Sequence, residues 1–107
     1  MESDDLKDFI TPPDHLLFRA KKLFGTCGEI VDIAIAYIEA GGGGPAETHT
    51  HDHDHLFIVI SGRACIRLGD SEIILNPNES YRVPGRMAHA VWNRTDKTTV
   101  MIGISVK

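Results

Sequence analysis

A chain of 107 residues can build one domain with a real core, and not two. It carries 11 basic and 15 acidic side chains, a net charge of −4 with no basic block, so nucleic acid is not an expected partner. No apolar run approaches the ~20 residues of a membrane helix. The opening MESDDLKDF is acidic and has no hydrophobic signal region, so the expectation is a cytoplasmic protein without membrane contact.

Residues 1–13 are polar, end in Pro12-Pro13, and read as an arm with one short helical turn after Ser3. LLFRAKKLF (16–24) fits a helix or a strand equally. VDIAIAYIEA (31–40) is β-branched and alternates, with Val31, Ile33, Ile35 and Tyr37 on one face. Gly41 to Pro45 is expected to break the chain, its four glycines forming a flexible turn.

LFIVIS (56–61) reads as a buried strand, turned by Ser61-Gly62 into RACIRL (63–68). A Gly69-Asp70 hairpin leads to SEIIL (71–75), and the turn Asn76-Pro77-Asn78 to ESYRV (79–83). After Pro84-Gly85 come MAHAVWN (87–93), a polar turn at 94–97, and TTVMIGISV (98–106). Short strands at regular spacing, separated by Gly, Pro, Asn and Asp, predict an all-β barrel or sandwich. Cys27 and Cys65 are expected to be free thiols, with Cys65 packed as a small hydrophobe.

Four of the six histidines fall in THTHDHDH (48–55). On a strand, His49 and His51 would share one face. Aspartate is disfavoured in strands, so a turn is expected near Asp52-His53-Asp54. The strand would restart at His55, on the face of Phe57 and Val59. More distant donors are His15, which has no supporting pattern, and His89, which shares a face with Val91 and Asn93 between two alanines. Imidazole donors suit Fe, Mn, Ni, Cu or Zn. On spacing alone, a built metal site and a solvated histidine-rich loop both stay open.

GGPAETHTHDHDHLFIVISG resembles the first motif of the cupin family, G-x5-H-x-H-x3,4-E-x6-G. Gly43, His49, His51 and Gly62 match, and His55 stands at the glutamate position. NESYRVPGRMAHAVWN resembles the second motif, G-x5-P-x-G-x2-H-x3-N. Pro84, His89 and Asn93 match, with Asn78 and Arg86 in place of its glycines. Asparagine is the mildest such replacement at a left-handed turn.

The resemblance covers residues 43–93. It implies one cupin domain over 1–107, a double-stranded β-helix (a jelly-roll-like barrel) with its first motif at 43–62 and its second at 78–93. It implies a divalent transition metal held by His49, His51, His55 and His89, with His53 left in a loop outside the site. It also implies a homodimer formed through N-terminal strands, with residues 14–24 taking part.

Tyr37, Phe57, Cys65, Arg67, Tyr81 and Asn93 are candidate pocket residues, and Trp92 a further one. Core packing competes for the aromatics and a surface position for Arg67. A general base would have to be metal-bound hydroxide, a tyrosine, His53, Glu47, Asp52 or Asp54. The function expected is a mononuclear metalloenzyme acting on a small carboxylate, sugar or enol-type substrate, with dioxygenase (oxidoreductase) chemistry in view. The alternatives are a metal-dependent isomerase or lyase, and a non-catalytic module that binds or senses a small ligand.

Overall fold

The computed structural model describes residues 7–49 and 52–107, leaving aside the side chains of residues 24 and 47–49. The strands in chain order are β1 (Leu16–Phe24), β2 (Ile30–His49), β3 (Asp54–Ser61), β4 (Ala64–Leu68), β5 (Ser71–Leu75), β6 (Ser80–Val83), β7 (His89–Trp92) and β8 (Thr99–Val106). The described residues contain no helix. The helical turn expected after Ser3 lies outside them.

All strand pairs are antiparallel, in the order β5-β4-β7-β2-β8-β3-β6, with β1 also on β2. β2 explains the architecture. Its first half, residues 30–38, pairs with β1 and β8, and its second half, residues 43–49, pairs with β7. One 20-residue strand therefore belongs to two halves of the sheet. Ile38, Val59, Val83 and Met101 from one half meet Ala64, Ile66, Leu75 and Val91 from the other in a single core. The halves close on each other as an all-β jelly-roll barrel.

The alternation expected in residues 31–40 is present, but the larger face points outward. Asp32, Ala34, Ala36 and Ile38 turn to the barrel interior. Their β8 partners are Ser105, Gly103, Met101 and Thr99. The outer face carries the partly buried rows Ile33–Ile104–Leu56 and Ile35–Ile102–Ile58. A barrel interior of this size needs small side chains on some walls, so the bulkier stripe is left outside.

The glycine-rich segment is not a flexible turn. Gly42, Gly43, Gly44 and Pro45 are buried within β2. A Cβ on Gly43 would collide with the carbonyl oxygen of Val91 and come within 2.6 Å of the Trp92 ring, and its φ is +153°. Glycine lets β2 cross from one half-sheet to the other directly against β7.

LLFRAKKLF resolves as β1, because Phe18, Ala20 and Lys22 pair with Ile38, Ala36 and Ala34 of β2. Asn78 takes a left-handed φ of +71°, as its place in the second motif leads one to expect. The chain bends at residues 52 and 53, and β3 begins at Asp54, one residue before the expected restart. Asp54 accepts hydrogen bonds from the Gly85 N–H (2.9 Å) and from Arg82 Nε (2.9 Å). An otherwise unfavourable strand residue thus ties β3 to the turn after β6.

Candidate functional site

The barrel holds a cavity of about 470 Å³ lined by residues of β1, β2, β3, β7 and β8 and by Ile10 and Pro12 of the N-terminal arm. Cross-strand register sets its wall in layers. Asp32, Ser105 and His55 form one row, Lys22, Ala34, Gly103 and Phe57 the next, and Ala20, Ala36, Met101 and Val59 the third.

His55 enters from β3 and His89 from the first residue of β7. Their ring centroids are 5.2 Å apart, and His89 is 4% exposed. The Phe57 ring stacks beside His55 at 5.6 Å and meets His89 at 6.0 Å. His89 Nδ1 lies 3.0 Å from the Met87 carbonyl oxygen. A carbonyl can only accept, so Nδ1 is the donor here, and in a neutral ring Nε2 is the nitrogen left to coordinate. That is the tautomer and orientation in which a second hydrogen bond prepares an imidazole for a metal.

His49 of β2 is the direct register partner of His89 across the β2–β7 pair. His51 lies outside the described residues. Among the described residues no three His, Cys, Asp or Glu side chains form a metal-holding group, and the His49 side chain lies outside them with His51.

His53 is not set apart from the site. It is partly buried, lines the cavity, and its ring centroid lies 5.2 Å from that of His55. The bend at residues 52–53 turns it back toward the barrel instead of out into solvent. His15 sits away from the cluster, its Nδ1 donating to the Pro13 carbonyl and its ring against Phe18.

Of the six pocket candidates, Phe57 lines the cavity. The others do not, for separate reasons. Tyr37 is on the outer face of β2, edge-on to Phe9 at 5.4 Å. Cys65 and Arg67 alternate with the core residues Ala64 and Ile66 and therefore point out of the barrel. Cys65 borders a separate hollow of about 80 Å³ with Glu72 and Arg94. Arg67 lies 3.9 Å from Glu72 on the surface.

Tyr81 stands opposite Phe57 in register but remains 37% exposed. Asn93 is fully buried and structural. Its amide donates to the carbonyls of Ile38 (2.8 Å) and Lys97 (2.6 Å), and its oxygen accepts from the N–H and hydroxyl of Thr95. Trp92 packs against the Gly43 backbone.

Sequence reasoning missed Asp32, Ser105 and Lys22. Asp32 and Ser105 are cavity-wall register partners, and Lys22 Nζ lies 3.7 Å from Asp32. The signal was a lone acid in a β-branched strand, in phase with two alanines. Asp54, proposed as a base, is committed elsewhere: the Gly85 N–H and the Arg82 guanidinium hold its carboxyl below the usual aspartate range.

A family model described as a cupin domain matches residues 35–106. A search of curated proteins finds no match. Solved structures share the fold. The polyketide cyclase RemF from Streptomyces resistomycificus aligns with a TM-score of 0.78 at 17% identity, over 99% of this chain and 77% of that one. KdgF from a Halomonas species gives a TM-score of 0.72 at 19% identity, over 94% and 86%. The cupin domain of a transcriptional regulator from Enterobacter cloacae gives 0.75 at 18%, over 86% and 98%. With the barrel, the two motif-bearing strands and this match over most of the chain in agreement, the protein belongs to the cupin family.

Proposed function

We propose that this cupin is a mononuclear metalloenzyme acting on a small oxygen-bearing molecule. The observation that carries the proposal is the approach of the buried His89 ring to within 5.2 Å of His55, which lines the cavity, with His49 opposite His89 in the strand register. His49, His51, His55 and His89 would hold a divalent transition metal. Such an ion supplies Lewis-acid polarisation of a substrate oxygen and, where it is redox-active, access to oxidation chemistry.

The chain's own residues do the rest. The Met87 carbonyl fixes the His89 ring. Phe57, Val91 and Met101 exclude water around the bound molecule. Among the described residues Asp32 is the carboxylate on the cavity wall, and proton transfer is assigned to it or to His53. A homodimeric state belongs to the same proposal and is tested by light scattering.

The deciding experiment is the metal content of protein purified without a tag, together with oxygen consumption across small-molecule substrates. Iron, copper or manganese with substrate-dependent oxygen uptake supports an oxidoreductase. Zinc without uptake turns the reading to isomerase or lyase chemistry. The cupin domain of a transcriptional regulator among the structural relatives supports a second reading, ligand sensing without turnover. Tight ligand binding with no product would favour it.

A further inference from the structure

The cavity wall is unevenly divided between polar and apolar surface. Its polar groups sit toward one end. Asp32, Ser105 and His55 share one cross-strand row, with His53 beside His55 and Lys22 paired to Asp32. The next two rows offer no side-chain donor or acceptor except Lys22, which reaches back to Asp32.

In those rows Ala20, Ala34, Ala36 and Gly103 are adjacent on β1, β2 and β8. Three methyl groups and a hydrogen replace full side chains, so the wall is hollowed into a shallow apolar bed. Phe57 borders the bed on the β3 side, and the space a Cβ of Gly103 would occupy is 3.6 Å from its ring. Ile10 and Pro12 border it on the other side. The arm is held there by a two-way backbone pairing of Ile10 with Ala20, at 2.9 and 2.7 Å.

We infer that the ligand of this cavity is a flat, mainly apolar molecule, aromatic or alicyclic, oxygenated at one end only. Its oxygen lies toward the histidines and Asp32, and its ring lies on the alanine–glycine bed between Phe57 and the arm. A sugar does not suit this wall. Its hydroxyls point in every direction, and those over the bed would lose water without gaining a partner. The inference rests on the site proposed above and narrows its small oxygen-bearing substrate to one chemical class.

The test uses 2-naphthol as the probe and glucose as its polar counterpart. Both are titrated by calorimetry and ligand-observed NMR into the full chain and into two variants that fill the bed, Gly103→Val and Ala20→Leu. Ala20 is on β1, away from the central β2–β8–β3 pairing, so its variant remains informative if Gly103→Val does not fold. The expected result is saturable naphthol binding to the native chain, weakened tenfold or more in the variants, and no measurable glucose binding.

Glucose binding as tight as naphthol, or naphthol binding unchanged in a folded variant, overturns the inference. Metal content measured on the same samples separates the two proposals. Naphthol bound and blocked in metal-free protein sustains the ligand class and counts against the metalloenzyme. Metal retained without naphthol binding does the reverse.

Discussion

His55 and His89 approach to 5.2 Å between ring centroids although they stand on strands in opposite halves of the sheet. Neither strand places the pair alone. β3 reaches His55 through its pairing with β8, and β7 reaches His89 through its pairing with β2 and β4. Mass spectrometry of metal in untagged variants tests what the pair does. His55→Ala, His51→Ala and His89→Ala are expected to lower bound metal by at least about tenfold. His53→Ala is expected to retain it, because the proposed ligand set leaves His53 out even though its ring lines the cavity. Retention in His89→Ala would sink the four-histidine reading.

Gly43 and Gly25 should respond oppositely to the same substitution. Gly43→Ala sets a methyl group against Trp92 and the Val91 carbonyl at a φ that side chains rarely adopt. A loss of about 3 kcal/mol is expected in urea unfolding. Gly25 has nothing within 4 Å of its would-be Cβ. Gly25→Ala should therefore be neutral, or stabilising by up to about 1 kcal/mol.

Asn93→Ala removes a buried amide that spans β2, β7 and the 93–97 turn. The Ile38 carbonyl would lose that donor within the core. About 2–3 kcal/mol of stability should be lost, again read from urea unfolding. Metal content should stay unchanged in the folded fraction, since Asn93 braces the barrel and does not line the cavity.

The two thiols differ in access. Cys27 is exposed and Cys65 is buried. Burial pushes the Cys65 thiol up, disfavouring the reactive thiolate. A disulfide-exchange reagent should titrate about one thiol per native chain and two after denaturation. Two fast thiols in the native state would mean that the β4 outer face opens readily.

Arg94 donates to Glu72 at 2.9 Å and holds its carboxyl below the ordinary 4.5. The unfolded chain therefore takes up this proton at higher pH than the folded one. The stabilisation is complete above about pH 4.5 and is lost as pH falls through the lower folded value. The gap in urea midpoint between the native chain and Glu72→Gln should be widest near neutrality and close in acid. Both groups face solvent, so the gap should be small and shrink with added salt.

The all-β class, the bounds of β3 to β8 to within about two residues, and both histidine motifs were legible in the chain. Each depends on local chemistry: β-branched alternation, turn residues, and imidazoles at fixed spacing. Which face of β2 turns inward was not legible, because the sequence shows a period of two without showing what lies opposite. The stripe of Ile33, Ile35 and Tyr37 looks like core, yet the barrel interior takes Asp32, Ala34 and Ala36, which make room for a cavity. Gly41–Pro45 looked like a break for the same reason: a glycine run marks freedom locally, and only contact with β7 shows that the freedom is used for close approach. The sequence by itself determined that histidines from two motifs would serve one barrel. Only the tertiary pairing of β2 with both half-sheets decided that His53 and His55 line an apolar hollow with Asp32 and that His89 packs against His55, because that meeting depends on register between strands remote in the chain.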